Sequence, residues 1–269
     1  MSSILHAARA FRAVAEREWI RFFNQTGRLL SAVVRPGFWL FVFAAGFQNV
    51  LGVSIQPPYA NYIEYQVYVI PGLVGIVLLF QGMQSSLSMV YDREMGVMRL
   101  LLTAPLPRWY LLLCKLMAGV FLAVGQAYAF LIVAAVFDIQ VPWSGWLSVL
   151  PTMVLAGLML GSLGLVFSVH IRQLENFAGM MNFVIFPMFF LSSALYPLWK
   201  LRESGADLIY WLAVANPFSH AVELMRFAFY GQFEWRAAII VAVSAAVFFA
   251  IAAYGYDPQR GAFRSALRG

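Results

Sequence analysis

Long apolar runs separated by short polar stretches form the main pattern of this chain. Several of these runs reach about 20 residues, which lets a helix rising 1.5 Å per residue cross a hydrocarbon layer of about 30 Å. Strands of a membrane barrel would instead alternate with a period of two over about ten residues. The pattern therefore predicts an all-α, polytopic membrane protein with six transmembrane helices. The predicted spans are residues 33–54, 67–90, 108–137, 147–169, 177–198 and 236–256.

The residues before the first span form a helical pattern with one apolar side. The apolar positions recur at helical spacing, while Arg9, Arg12 and Glu16 lie away from them. The apolar positions are Ile4, Ala8, Phe11, Ala15, Trp19 and Phe22. Because basic amphipathic helices are typical of the membrane interface, we expect residues 1–32 to form an interfacial helix. A cytoplasmic helix docked on protein is the alternative.

An apolar but interrupted segment lies between the fifth and sixth spans. The residue before a proline disfavours helix, so the Asn216-Pro217 step should break this segment into two short helices. Glu223 and Arg226 are three residues apart and are placed to neutralise each other. We predict a re-entrant hairpin that dips into the outer leaflet, with its non-helical backbone packed in protein. The hairpin covers residues 199–235, and its polar positions are Asn216, Pro217, His220, Glu223 and Arg226.

Composition and charge agree with a membrane protein and give it an orientation. The 269 residues are 62% hydrophobic and 11% charged, whereas soluble domains are about 45–50% apolar. With the N-terminus in the cytoplasm, most of the 18 lysine and arginine residues fall on that side, including those of a basic tail at 257–269. Basic residues concentrate on cytoplasmic loops, so both termini are expected there. The same rule explains the net charge of +6 without a nucleic-acid partner.

The sequence lacks the residue patterns of an enzyme. The three histidines are far apart and do not match a metal-binding motif. Neither Lys115 nor Lys200 follows the glycines of a phosphate loop, so the chain has no ATP-binding motif of that kind. The single cysteine, Cys114, permits no disulfide within the chain. We expect no catalytic residue, metal site or cofactor in this chain.

A charged, amphipathic segment at residues 91–104 interrupts the oily pattern on the predicted cytoplasmic side. As a helix it would place Asp92, Gly96 and Arg99 on one stripe, with apolar residues over much of the remainder. Pro105 would end that helix. A helix that docks on a partner and a loop held in the membrane interface by its apolar residues both fit this pattern.

The run DREMGVMRLLLTAPLPRWYLLLCKL, residues 92–116, resembles the ABC-2 type exporter permeases. The stretches PGLVG, FPMFFLSSALYPL and NPFSHAVELMRF agree with the same family in the same order, so the resemblance covers essentially the whole chain. Arg99 stands where the family often has an acid, and Cys114 where a glycine usually precedes the lysine. A similarity to the permeases associated with bacterial alcohol oxidation systems has no motif here that supports it.

The resemblance implies one subunit of an ATP-driven exporter in the bacterial inner membrane. Two permease copies, forming a homodimer or a pair of similar chains, would assemble with two separate ABC ATPase subunits that bind ATP and magnesium. It further implies that residues 91–104 form the coupling helix that meets the ATPase, and that the hairpin lies on the outer face above the pathway. The expected coupling residues are Asp92, Arg93, Glu94, Gly96, Arg99, Leu102 and Pro105.

Polar residues inside the predicted spans have two interpretations. They either line the substrate pathway or hydrogen-bond neighbouring helices. Lys115, about two turns into the third span, is expected to extend its side chain to the cytoplasmic face. The pathway candidates are Gln81, Gln84, Ser85, Ser88, Asn182, Ser192 and Ser193.

The expected function is a permease that moves an amphipathic or lipid-like substrate out of the cytoplasm or inner leaflet. The direction of transport rests on the resemblance alone. A stand-alone secondary transporter or channel is the alternative. That class uses broken spans with ion-binding groups near the membrane midplane, and no aspartate or glutamate falls in the middle of a predicted span here.

Overall fold

The computed structural model describes residues 2–24, 34, 36–42, 57–59, 61–96, 107–139, 141–171 and 173–256, and the regular elements within these ranges are helices. This confirms the all-α prediction for the described part of the chain. Residues 36–42 are helical. The other helices are α1 (Ser2–Phe23), α2 (Tyr65–Glu94), α3 (Arg108–Val136), α4 (Gly145–His170), α5 (Leu174–Phe190), α6 (Leu198–Glu203), α7 (Asp207–Ala215), α8 (Pro217–Phe229) and α9 (Trp235–Gly255).

Four of these helices, α2, α3, α4 and α9, are long and apolar enough to cross a membrane. They correspond to the predicted second, third, fourth and sixth spans. Helix α5 is apolar but has only 17 residues, so it ends well before the predicted limit of the fifth span at residue 198. The predicted first span, 33–54, lies largely outside the described residues, as does the tail at 257–269.

Local side-chain bonds accompany the early end of α5. The Ser192 hydroxyl donates to the carbonyl of Phe189 at 2.6 Å and accepts from the amide of Ala194 at 3.2 Å. Serine side chains that bond nearby backbone groups in this way compete with helical hydrogen bonding. The chain therefore leaves the helix at Leu191, and the residues before α6 are non-helical.

Helix α2 lies at the centre of the bundle. It packs against α3, α4, α5 and α8, and α4 packs in turn against α9. In the most apolar 18-residue window of each helix, 83% of α2 is buried but only 22% of α9. A helix that is apolar all round is typical of such a central position.

Small residues bring α2 close to its neighbours. A Cβ atom built on Gly82 would lie 3.0 Å from the Cα of Gly161 on α4. A Cβ on Gly72 would lie 2.7 Å from both the Cβ and the carbonyl oxygen of Ala194. Such contacts let backbones approach where lipid provides no hydrophobic force between helices.

Helix α1 packs on α3. The side toward the bundle includes the half-buried Val14 and Arg17, whereas Arg12 and Glu16 are exposed. Glu18 is buried, whereas Trp19 and Ile20 are 45% and 62% exposed. The helix ends at Phe23, so it is shorter than the predicted 1–32 segment. On this side α1 packs against the rest of the chain, as in the alternative prediction of a helix docked on protein. A position in the membrane interface stays a prediction.

We expect Gly72→Ala to lower stability by about 1–3 kcal/mol, because the new methyl group meets backbone atoms that cannot rotate away. Gly125→Ala is the matched control: Gly125 lies on α3 with nothing within 4 Å of the added Cβ. That change should be neutral or stabilising by up to about 1 kcal/mol, since alanine is the better helix former. Thermal unfolding of both variants in detergent is the measurement. Equal melting temperatures for the two variants would show that the close contact is not stabilising.

Candidate functional sites at the two ends of α2

A buried carboxylate joins three helices at one end of α2. Asp92, in the last turn of α2, is 2% exposed. Its Oδ2 accepts from the Nη2 of Arg17 on α1 at 2.8 Å and from the Nζ of Lys115 on α3 at 3.0 Å. We call Arg17, Glu18, Asp92 and Lys115 the inner cluster.

Charge is balanced within the inner cluster. The second carboxylate, Glu18, is buried and lies 3.4 Å from Arg17. Burial lowers the pKa of Arg17, but the adjacent carboxylates, first that of Asp92, outweigh this effect and raise it above its usual value. Arg17 therefore stays charged. Two basic and two acidic groups together avoid the large cost of an unpaired buried charge.

The structure corrects the expectation for Lys115. Its side chain does not extend to the cytoplasmic face; it is buried and bonded to Asp92. The carboxylate one helix away gives the ammonium group a partner inside the protein, so extension toward water is unnecessary.

Helix α2 stops shortly after Asp92. Its last residue is Glu94, and Gly96 has φ of 72°, a left-handed conformation that glycine adopts readily. Residues 91–94 are thus the last turn of α2 and do not begin a separate helix, which corrects the predicted start of the 91–104 helix. The rest of that segment, with Arg99, Leu102 and Pro105, lies outside the described residues.

Glu94 connects the same end of α2 to α5. Its Oε1 accepts from the backbone N–H of Leu174, the first residue of α5, at 2.9 Å. The first N–H groups of a helix have no partner within the helix, and a negative charge there is favourable. Sequence reasoning placed Glu94 in the coupling segment but missed this role, since its partner is 80 residues away.

A second cluster lies at the other end of α2. Arg226 on α8 is 3% exposed and forms an ion pair with Glu223, as the spacing predicted. Its Nη2 donates to the carbonyl of Ser193 at 2.8 Å, and its guanidinium lies 4.1 Å from the centre of the Tyr68 ring. A cation over an aromatic face is attracted to the ring, more strongly when water is excluded. We call Tyr68, Ser193, Glu223 and Arg226 the outer cluster.

Side chains of α2 and α8 satisfy the non-helical backbone after α5. The hydroxyls of Tyr65 and Tyr68 donate to the carbonyls of Leu195 and Ser193 at 2.7 and 3.0 Å. The hydroxyls of Ser193 and Ser219 also bond backbone atoms across this contact. These bonds satisfy backbone groups that have no helical partner.

Asn216 separates α7 from α8 and holds both to α5. Its Oδ1 accepts from the amide of Phe218 at 3.0 Å, which caps α8, and Pro217 occupies the first helical position. Its Nδ2 donates to the carbonyls of Met188 and Leu191, each at 2.8 Å. The predicted break at Asn216-Pro217 is confirmed. His220 bonds the carbonyl of Val214 across the break at 2.9 Å.

A cavity of about 210 Å³ lies beside the outer cluster. Its walls include the aromatic side chains of Tyr59, Trp199 and Phe227, and the Glu223–Arg226 pair is its charged part. The guanidinium already contacts a carboxylate, a carbonyl and a ring within the protein. The main role of the outer cluster is therefore to attach α8 and the residues after α5 to α2.

The polar residues expected in the pathway fall into two groups. Gln81 accepts a hydrogen bond at 3.1 Å from Gln126 on α3, a buried residue that sequence reasoning missed. Ser88, Ser192 and Ser193 bond backbone carbonyls. By contrast, Asn182 is exposed on α5. Gln84 and Ser85 are partly buried.

The two clusters are a membrane thickness apart. Tyr68 and Asp92 are separated by 24 residues of one helix, or about 36 Å. The hydrocarbon core is about 30 Å thick. Helices that are long and apolar enough to span a membrane, with paired charges at the two ends of the central one, indicate a membrane-embedded domain.

Comparison with known proteins identifies the family of this membrane-embedded chain. The family described as ABC-2 type transporter matches residues 9–230, and the chain belongs to it. It is 26% identical over 236 residues to "Putative transport permease ycf38" of Porphyra purpurea, covering 83% of this chain and 75% of that protein. The same-named protein of Cyanophora paradoxa is 27% identical over 229 residues, 82% and 74% of the two chains.

The printed name of a bacterial relative also gives a type of transporter. "Probable multidrug ABC transporter permease YbhR" of Escherichia coli (strain K12) is 28% identical over 167 residues, which are 61% of this chain and 44% of that protein. The family assigned from the sequence motifs is therefore confirmed. The chain is a membrane-embedded permease, and its family implies an ABC ATPase partner.

We expect Asn216→Ala to lower stability by about 1–3 kcal/mol, because it removes a helix cap and two partly buried hydrogen bonds. Asn216→Asp separates the two roles: an aspartate still accepts from Phe218 but cannot donate to Met188 and Leu191. It should remain destabilised, since a carboxylate would then face two carbonyl oxygens. Thermal unfolding in detergent measures both variants. Full stability of the aspartate variant would show that the bonds to α5 contribute nothing.

Proposed function

We propose that this chain is the transmembrane subunit of an ABC exporter that moves an amphipathic or lipid-like substrate out of the cytoplasm or inner leaflet. The observation that carries the proposal is the family match over residues 9–230, together with helices long enough to span a membrane. The printed name of the Escherichia coli relative, a probable multidrug permease, supports a substrate of this kind. A separate ABC ATPase, rather than this chain, binds ATP and magnesium.

The proposed assembly has two copies of the permease and two of the ATPase, in a bacterial inner membrane with both permease termini in the cytoplasm. Helix α9 supports the membrane setting. Its exposed apolar side chains recur every four residues and form one continuous face; they include Trp235, Ile239, Val243, Val247 and Ile251. Lipid covers such a face in a spanning helix, and part of the permease surface is left for a second copy.

The ATPase contacts the cytoplasmic segment that follows α2. Two exposed apolar side chains flank this segment, with Met95 61% and Trp109 52% exposed. Apolar anchors beside charged residues suit docking on a protein groove. Arg93, Glu94 and Gly96 lie at the start of the segment, and Arg99, Leu102 and Pro105 would continue the contact.

On the opposite side, α7 and α8 form the re-entrant hairpin above the pathway. Their break at Asn216, with its polar groups bonded inside the protein, supports this arrangement because lipid would leave those groups unsatisfied. Among the pathway candidates, exposed Asn182 is best placed to meet substrate. Gln81 acts mainly as a contact between α2 and α3.

Purification of the tagged chain from its native membrane tests the function. We expect an ABC ATPase to co-purify, and the complex in nanodiscs to hydrolyse ATP with stimulation by a lipophilic fluorescent dye or a fluorescent phospholipid. The same probes should cross liposome membranes only with both subunits and ATP. Uptake driven by an ion gradient with the permease alone would overturn the proposal in favour of a secondary transporter.

Charge reversal tests the coupling segment. We expect Glu94→Arg combined with Arg99→Glu to reduce recovery of the ATPase by at least about tenfold, or about 1.4 kcal/mol of binding free energy. The matched control reverses two exposed charges on α6, Arg202→Glu with Glu203→Arg, and should leave recovery unchanged.

A third variant separates docking from folding. Glu94→Gln keeps an acceptor oxygen for the Leu174 amide while removing the charge. Undiminished recovery of the ATPase with the double reversal would mean that this segment is not the docking site.

A further inference from the structure

We propose that Asp92 is a positioning residue for energy coupling, which fastens α1 and α3 to the last turn of α2 so that the three move as one unit when the ATPase displaces the segment after α2. This inference rests on the proposed function and deepens it. It gives Asp92 a role inside the permease, whereas the neighbouring Glu94 and the residues beyond it meet the ATPase.

Burial separates Asp92 from the docking surface. The Asp92 side chain is 3% exposed, so a partner protein cannot reach its carboxylate in this conformation. Glu94, two residues later, is exposed. The helix ends there, and Gly96 adopts a left-handed φ of 72°. A displacement of the following segment therefore arrives first at the turn that contains Asp92.

The bonds to Asp92 come from distant parts of the chain. Arg17 is 75 residues away and Lys115 is 23 residues away, and both donate to Oδ2. One oxygen atom thus links α1, α2 and α3. Charge-assisted bonds of this length are about twice as strong as neutral ones, which suits a joint that transmits movement.

Apolar packing around this joint is incomplete. A cavity of about 30 Å³ lies against the cluster, bounded by Val14, Arg17, Met89, Lys115 and other side chains. On α1, Trp19 and Ile20 are 45% and 62% exposed. The ionic contacts of Arg17 and the burial of Glu18 therefore contribute to the attachment of this end of α1.

Hydrogen exchange of α1 amides, read by mass spectrometry, tests the inference. The sample is the purified complex with its ABC ATPase in nanodiscs, with and without vanadate-trapped nucleotide. In the unmodified protein we expect the exchange of peptides from residues 2–23 to change on trapping. Asp92→Asn should raise exchange in α1 by about tenfold or more and abolish the response to trapping. Recovery of the ATPase should be unchanged, because Asp92 lies behind the docking surface.

Two variants on α1 make the comparison specific. Arg17→Gln removes one bond of the joint but leaves the buried Asp92–Lys115 pair, so it tests the same link in a protein that keeps its core contacts. Arg12→Gln removes an exposed ion pair with Glu16 on the same helix and should match the unmodified protein. Asp92→Glu keeps the charge and should retain the response to trapping.

Three results would overturn the inference. Unchanged α1 exchange in both Asp92→Asn and Arg17→Gln would show that the cluster does not hold α1. Faster exchange with an intact response to trapping would assign the cluster a structural role only. Loss of the ATPase from Asp92→Asn, with normal α1 exchange, would make Asp92 a docking residue. If no ABC ATPase co-purifies with the unmodified chain, the proposed function fails, while exchange in the permease alone still tests the attachment of α1.

Discussion

Hydrocarbon offers no hydrogen-bond partners, so each polar atom within the membrane must be paired inside the protein. The arrangement around α2 follows from this constraint. Near its ends, Asp92 bonds Lys115 on α3 and the Tyr68 hydroxyl bonds the non-helical stretch after α5, and near its middle Gln81 pairs with Gln126. Because α2 is enclosed by other helices, its polar side chains find partners there, while the largely exposed α9 remains apolar.

The same constraint explains how a non-helical stretch can follow α5 inside a helical bundle. Carbonyl groups in this stretch, which have no helical partner, accept hydrogen bonds from the side chains of Tyr65, Tyr68 and Asn216. Small residues complete the fit, since Gly72 lets α2 approach Ala194 closely. Hydrogen bonding and close packing therefore act at one place, and they fix the α7–α8 hairpin against the central helix.

Because the proposed energy source is a separate ATPase, movement in our proposal begins outside the membrane. The end of α2 is where such movement enters the bundle in our proposal. Three helices already meet that turn, through Arg17, Lys115 and the Glu94 cap on α5. The ionic contacts of Asp92 at one end of α2 and the hydrogen bonds of Tyr65 and Tyr68 at the other end would let α2 transmit movement along its length.

The sequence by itself determined the helical class, four of the six predicted spans, the break at Asn216-Pro217, the Glu223–Arg226 pair and the family. These features depend on length, periodicity and neighbours within one turn, which a single chain displays directly. Only the tertiary structure decided that Lys115 pairs with Asp92, that Arg17 completes the cluster, and that Glu94 caps α5. It also showed that α5 ends early and that Gln126 joins Gln81. Those contacts connect residues up to 80 positions apart, and local patterns contain no information on which helices become neighbours.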